Sequence, residues 1–485
     1  MSFLSMGFAL FFLAIAGLYF SIPRKLRPGL LLAASLVFYG SLRLSFLALL
    51  AVEVLLAYGS ALWLARGVRP GRRFQFGLSL AALLTPLFIL KYFDFVVQSV
   101  AAAAHGLTRG RPPDLLSLAL PIGISFYTFK SLSYVIDVFR GRIPPEKSPL
   151  PVALYISFFP QILAGPIERA GHFLAELRKD YVFDLSKALS GLGLVLWGLF
   201  KKLVIADRLA LFVTAVFSRP QNYPDLRLIA GLVFYSFQIY CDFSGYSDIA
   251  IGLARILGLE TMINFNYPYF SRSISDFWSR WHISLSTWLR DYLFLPISYG
   301  LSRRIQADRF LFFKTEYFLY FCGMSVTMLL CGLWHGASWT FVVWGGLHGL
   351  YLIVSRATRK TRNVVLRRLH VRTSGPIWSG LRTVFTFSLV TLAWVFFRAP
   401  SLGEAWSYLG RLSLARPAGG TSHLLFLAVL LTLFVLAEWV LKNRNKLPFR
   451  KPLPVPVRVV AFALAVCLII VLAADTSSEF LYFQF

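Results

Sequence analysis

Acidic residues are scarce in this chain. Among 485 residues, 22 are Asp or Glu and 49 are Lys or Arg, and charged residues of both signs reach only 15%. Soluble domains carry about 25%, and the polar loops are too short to hold a separate soluble domain. Cysteine is also sparse. Cys241, Cys322, Cys331 and Cys467 all lie in apolar runs with no CxxC pair, so they read as free packed thiols and say nothing of redox compartment. The seven histidines are scattered, with no HxxxH or HExxH spacing, which leaves no metal site to assign. No GxSxG elbow, P-loop or dinucleotide-binding glycine pattern is present, so hydrolase, ATPase and dinucleotide readings lack support. There is no internal repeat, low-complexity tract or Gly/Ser linker. We therefore read residues 1–485 as a single integral domain.

What the chain has in abundance is apolar sequence, with 57% hydrophobic and 16% aromatic residues. Runs of spanning length recur at 2–22, 28–42, 44–66, 74–98, 115–138, 186–217, 227–258, 316–334, 338–356, 381–398, 422–441 and 457–474. The fold class is an all-α polytopic membrane protein. The first run lacks a basic leader and a small-residue cleavage site, so it reads as a retained span.

The net charge of +27 is not a nucleic-acid signature, because the basic residues cluster between the spans. Arg24, Lys25 and Arg27 follow the first span, and Arg66, Arg69, Arg72 and Arg73 the third. Arg140, Arg142 and Lys147 follow the fifth; Arg303, Arg304, Arg309 and Lys314 precede the eighth. Arg356, Arg359, Lys360, Arg362, Arg367, Arg368 and Arg372 follow the ninth, and Lys442, Arg444, Lys446, Arg450 and Lys451 the eleventh. Alternating spans put all of these on one side, expected to be cytoplasmic, with both termini outside. Anionic lipid headgroups are the only partners such clusters need.

Two stretches do not read as simple spans. Residues 149–166 are apolar but flanked by charged segments. Residues 271–299 mix Trp278, Trp281 and Trp288 with Arg272, Asp276, Arg280, His282, Arg290 and Asp291, as an interfacial or re-entrant segment would. A third feature, Asp242-Phe243-Ser244-Gly245-Tyr246-Ser247-Asp248, places two carboxylates and a glycine inside the seventh run, where a broken helix lining a cavity is expected.

His335, in Cys331-Gly332-Leu333-Trp334-His335-Gly336, is the most telling residue. An imidazole at membrane depth is costly and usually kept for chemistry, and it exchanges a proton near neutral pH. Counting about 30 Å of helix back from Arg356 puts it toward the outer half of the membrane. His282 then falls on the cytoplasmic side, with the two rings at opposite ends of a cavity. His348, 13 residues on, would lie about 20 Å from His335 if the helix were continuous, and on another face. It is expected to bond a neighbouring helix.

The chain resembles the membrane-bound O-acyltransferase (MBOAT) family and, within it, the alginate O-acetyltransferase (AlgI-like) branch. The resemblance runs through 121–129 (PIGISFYTF), 158–167 (FFPQILAGPI), 197–202 (WGLFKK), 242–248 (DFSGYSD), 277–286 (FWSRWHISLS) and 333–337 (LWHGA), within a motif-rich core of about 115–356, and through the aromatic tail 479–485. It implies a ring of about 12 tilted spans with re-entrant helices around a central tunnel. It also implies His335 as the catalytic residue and His282 as the second family histidine. Trp278, Arg280, Trp281, Asp242, Ser244, Tyr246, Trp334 and Trp339 are then expected along the donor path. The implied activity is O-acetyl transfer from a cytosolic thioester, acetyl-CoA or an acyl carrier protein, with no bound cofactor. The acceptor would be an extracytoplasmic polysaccharide, alginate by resemblance, with peptidoglycan or cellulose as alternatives, reached through a periplasmic partner with a Ser-His-Asp (SGNH-type) site. The setting would be the bacterial inner membrane. Tyr482 is the candidate acyl relay, against a tail that merely anchors at the interface. A sugar transporter is the reading from another class, with Lys91, Asp94, Asp137 and Asp207 along a path, but no inverted repeat accompanies it.

Overall fold

The computed structural model describes residues 1, 3–66, 71–104, 120–310, 312–417, 421–443, 454–474 and 480–481. Every one of the twelve expected runs contains a helix. Eight helices are long and apolar enough to cross a bilayer among the described residues, and Met6–Ser21 is a shorter apolar one. The chain is a multi-pass membrane protein. The four cysteines are free thiols, as their spacing indicated.

Contacts divide the chain into two compact units, residues 1–197 with 246–262, and residues 198–245 with 263–485. In the first unit lie α1 (Met6–Ser21), α2 (Arg27–Gly40), α3 (Leu44–Arg66), α4 (Arg72–Leu87), α5 (Phe93–Ala104), α6 (Ile124–Phe139), α7 (Pro149–Ser157), α8 (Ala170–Leu177) and most of α9 (Leu185–Leu199). Their core is α6, buried from Ile124 to Val138. Gly123 opens it at φ 83°, and a Cβ there would strike the Ile162 carbonyl. The 121–129 and 158–167 motifs are thus two sides of one contact, which Lys130 reinforces by donating to Gln161 Oε1 (3.3 Å). The 149–166 stretch is no span, as expected: α7 has nine residues, and a buried turn follows it.

The second unit holds α10 (Asp207–Ser218), the first part of α11 (Leu226–Ile256), α12 (Ile274–Trp278), α13 (Ile283–Leu289), α14 (Leu295–Ser302), α15 (Thr315–His335), α16 (Trp339–Ala357), α17 (Arg359–Arg368), α18 (Pro376–Arg398), α19 (Leu402–Gly410), α20 (Ser422–Lys442) and α21 (Val455–Leu472). A two-residue antiparallel ribbon, β1 (Arg309–Phe310) with β2 (Phe313–Lys314), precedes α15. Residues 271–299 break into short helices that bury Trp278, Trp281, His282 and Trp288 and leave Arg272 and Arg290 exposed.

The expected break at 242–248 is absent: α11 runs unbroken through it. The carboxylate that argued for a cavity has a protein partner instead. Lys202 Nζ donates to Asp242 Oδ1 (2.6 Å) and lies 2.9 Å from Asp207 Oδ1, and Lys201 Nζ donates to Ser244 Oγ (2.9 Å). Both lysines turn inward because residues Phe200–Ala206 form a π-helical stretch. In a regular helix successive residues diverge by about 100°; the wider turn eases that constraint. Gly245 lets the backbones approach, since a Cβ there would sit 2.7 Å from the Gly198 carbonyl oxygen.

Helices α15 and α16 form a hairpin. Gly332 packs on the Phe341 carbonyl and Gly345 on the Met328 carbonyl, leaving no room for a Cβ at either. Ser338 caps α16 by accepting from the Thr340 N–H (3.3 Å). At the open end Arg356 pairs with Glu316 (2.8 Å).

Candidate active site

Backbone chemistry places His335 at a helix end: it is the last residue of α15, and the Gly336–Ser338 turn follows. The side chain is buried among aromatic rings, with centroids 4.9 Å from Trp334, 5.0 Å from Trp344 and 5.2 Å from Phe397.

His282 is also a neighbour of Trp334, 5.9 Å between centroids. The two histidines therefore share one indole as a neighbour; they are not at opposite ends of a cavity. The expected separation treated 271–299 as a layer at the cytoplasmic surface, whereas its short helices carry His282 inward to full burial. The turn that does this has His282 itself at φ 43°, ψ 54°. That left-handed geometry is costly for a side chain with a Cβ and tends to persist where function requires it.

Asn264 sets the state of the His282 ring. Its Oδ1 accepts from the Ser284 N–H (3.3 Å) and Oγ–H (2.9 Å) and lies 3.0 Å from His282 Nδ1. A carbonyl oxygen can only accept, so Nδ1 carries the proton and Nε2 the lone pair. Burial pushes this imidazole down to about 3, so it is neutral at cellular pH. Replacing Asn264 by alanine leaves a buried N–H unsatisfied, which costs about 1–3 kcal/mol. We expect an about ten- to hundredfold loss of transfer rate in a purified-protein assay, with fold retained; an unchanged rate would show that the tautomer is immaterial.

His348 is tied to a neighbouring element, as expected: Trp278 Nε1–H donates to its Nδ1 (3.3 Å). The 20 Å separation from His335 does not hold. The two histidines lie on different arms of a hairpin, not on one helix, and both touch Trp344, 4.9 Å from His348.

The other expected residues fall in several places. Trp281 is buried against Tyr240, Phe265, Phe277 and Trp394. Arg280 pairs with Asp276 at 2.7 Å, partly exposed. Trp339 is 54% exposed at the start of α16. Tyr246 belongs to the first unit, where it stacks on Phe3. Asp242 and Ser244 hold the two lysines. Sequence reading did not single out Asn264, Trp344 or Phe397; buried polar or aromatic residues in apolar runs carry no spacing signal of their own.

Tyr482 lies outside the described residues, but Phe480 and Leu481 before it are buried. The Leu481 N–H donates to Asp242 Oδ2 (2.8 Å). Phe480 packs on Phe243 (6.1 Å), and Phe243 lies edge-on to His282 (4.6 Å). Chain order alone would leave the tail far from both histidines.

His335 and His282 are thus both buried against Trp334, with Phe480 packed on Phe243 nearby. Residues 115–315 match the model of MBOAT, membrane-bound O-acyltransferase family. The chain is 37% identical, over the whole length of both, to a probable alginate O-acetylase AlgI of Pseudomonas putida. The chain belongs to the membrane-bound O-acyltransferase family. It is also similar to a probable alginate O-acetylase AlgI of Azotobacter vinelandii (39% identical, 82% of this chain and 74% of that one) and to a peptidoglycan O-acetyltransferase of Helicobacter pylori (33%, 78% and 72%). As a family member the chain is an acyltransferase embedded in the membrane.

Proposed function

We propose that this acyltransferase moves acetyl groups from a cytosolic thioester to a polysaccharide outside the bacterial inner membrane, alginate being the acceptor. The observation that carries the reading is the grouping of His335, Trp334 and His282 beside the seated C-terminal segment. Basic residues at the open end of the α15–α16 hairpin support a cytoplasmic position for that end and extracytoplasmic termini. The thioester carbonyl docks beside the His335 ring. His335 takes the proton of an incoming hydroxyl, the oxygen bonds to the carbonyl carbon, the C–S bond breaks, and the departing thiolate recovers the proton. The neutral His282, with its lone pair at Nε2, positions the reacting groups.

The first acceptor is the Tyr482 hydroxyl. Leu481, anchored on Asp242, supports this because the next residue is Tyr482. A periplasmic partner with a Ser-His-Asp site then carries acetyl to polymer. Purified protein given acetyl-labelled acetyl-CoA should become labelled, and Tyr482→Phe should remove that label and the polymer acetylation. Full polymer acetylation by Tyr482→Phe would sink the relay; absence of transfer by the unaltered protein would sink the function.

A further inference from the structure

Helix α3 buries one stripe of residues in the first unit: Phe46, Leu50, Glu53, Ala57, Ala61 and Leu64. Their spacing is that of a single helix face, and all but Glu53 are apolar. Glu53 is only 1% exposed. It stands 13 residues before Arg66, about 20 Å of helix from the basic end, and so well inside the bilayer. Ala57 and Ala61, on the same stripe, permit close packing of helices, and α3 packs on α6. The hydroxyls of Ser131 and Thr128 on α6, both fully buried, face the Glu53 carboxyl. Tyr127, one position before Thr128, approaches both Glu53 and Tyr39.

Five oxygens are enclosed here without a hydrogen bond of regular geometry: both carboxylate oxygens of Glu53, Tyr127 OH, Thr128 Oγ1 and Ser131 Oγ. Among the described residues, no Lys, Arg or His faces the carboxyl to balance its charge. Lys130, next in the chain to Ser131, turns away to Gln161 and the Tyr155 ring. Other buried hydroxyls in this protein behave differently. Ser35, Ser79, Ser236, Thr327 and Thr386 each donate to the carbonyl four residues back in their own helix, the usual partner for a hydroxyl inside a span. Ser131 and Thr128 do not take it, and their oxygens stand at the α3–α6 seam instead.

We infer that a sodium ion binds in this seam, held by the Glu53 carboxylate and the Thr128 and Ser131 hydroxyls, with Tyr127 as a further oxygen, and that it ties α3 to α6. A carboxylate at this depth is neutralised by a proton or by a cation. A protonated carboxyl would draw a hydroxyl into a normal hydrogen bond, and none is formed. Oxygens bound at about 2.4 Å to one ion stand about 3.4 Å apart, beyond a normal O–H···O bond. One carboxylate cancels one positive charge, whereas a divalent ion would leave a charge buried and unpaired. Donors that are all oxygen suit a hard cation rather than zinc, copper or iron. Sodium is the smaller of the abundant monovalent ions and the one that a tight helix seam admits. A single carboxylate and hydroxyls from two helices make no pattern in the sequence. The site lies within the first unit and is independent of the acetyl-transfer reading.

The test uses the full chain in nanodiscs at constant ionic strength, with choline chloride replaced stepwise by sodium chloride. The thermal midpoint should rise by several degrees and go on rising with the logarithm of sodium concentration above the dissociation constant. Potassium should have a much smaller effect. Radioactive sodium should bind to saturation at about one ion per chain. Glu53→Gln removes the charge and keeps the shape; Ser131→Ala removes one oxygen and keeps the carboxylate. The first should abolish the sodium response and the binding, and the second should weaken binding about tenfold or more. If Glu53→Gln does not fold, Ser131→Ala decides alone. A midpoint indifferent to the choice of cation overturns the inference, as does sodium binding that either variant keeps at full strength. An equal response to potassium overturns it too. So does a midpoint that rises on acidification and ignores sodium, because Glu53 would then be a neutral acid.

Discussion

Changing His335 to alanine should abolish acetyl transfer, with a rate loss of about 10²–10⁴, the range a positioned general base supplies. Helix α15 ends at this residue, so alanine breaks no helix. It does leave a void among Trp334, Trp344 and Phe397, and a void alone could disturb the site. His335→Phe separates the two effects: the ring volume is kept while the proton acceptor is lost. Both variants should bind donor and both should fail to transfer acetyl. Recovery of the rate in the phenylalanine variant would make His335 a packing residue and remove the base from the mechanism.

Lys202→Met should give the largest loss of stability. Its ammonium group is shared by Asp242 and Asp207, with all three side chains almost wholly buried. Taking away one partner of a buried ion pair costs about 3–5 kcal/mol, because the remaining charge is stranded without solvent. Here two carboxylates are stranded together, and one of them must take up a proton. The thermal midpoint of the purified protein should fall by several degrees. Adding Asp242→Asn to Lys202→Met should restore part of that fall by removing one of the two orphaned charges. If Lys202→Met melts with the unaltered protein, the network contributes nothing to stability. A surviving fold with a released tail would show as faster amide exchange at Leu481, whose N–H rests on Asp242.

The helices were legible because lipid permits so little else: each of the twelve expected apolar runs contains one, and eight of these, among the described residues, are long and apolar enough to cross a bilayer. The site was legible in parts. His335 and His282 stood out as imidazoles in apolar or aromatic surroundings, and they do share a neighbour in Trp334. Their separation was misjudged because burial of a mixed aromatic and charged segment depends on a left-handed turn at His282, which hydropathy does not register. His348 was misplaced by extending a helix through Gly336–Ser338, although Ser338 already carried a capping signal. The 242–248 stretch was read as a break because Asp242 had no visible partner. Its partner, Lys202, is 40 positions earlier in the chain, and sequence spacing gives no warning of a π-helical turn.

That widened turn makes the segment Phe200–Ala206 sensitive to length rather than lettering. Removing a single residue there would let the coil rewind to the ordinary pitch with the downstream faces still in phase, but it would take away the wide turn that lets two successive lysines both face inward. One of the two ammonium groups would then leave its buried partner, Ser244 or the Asp242–Asp207 pair, so chemically mild exchanges elsewhere in the turn should pass where a one-codon deletion does not.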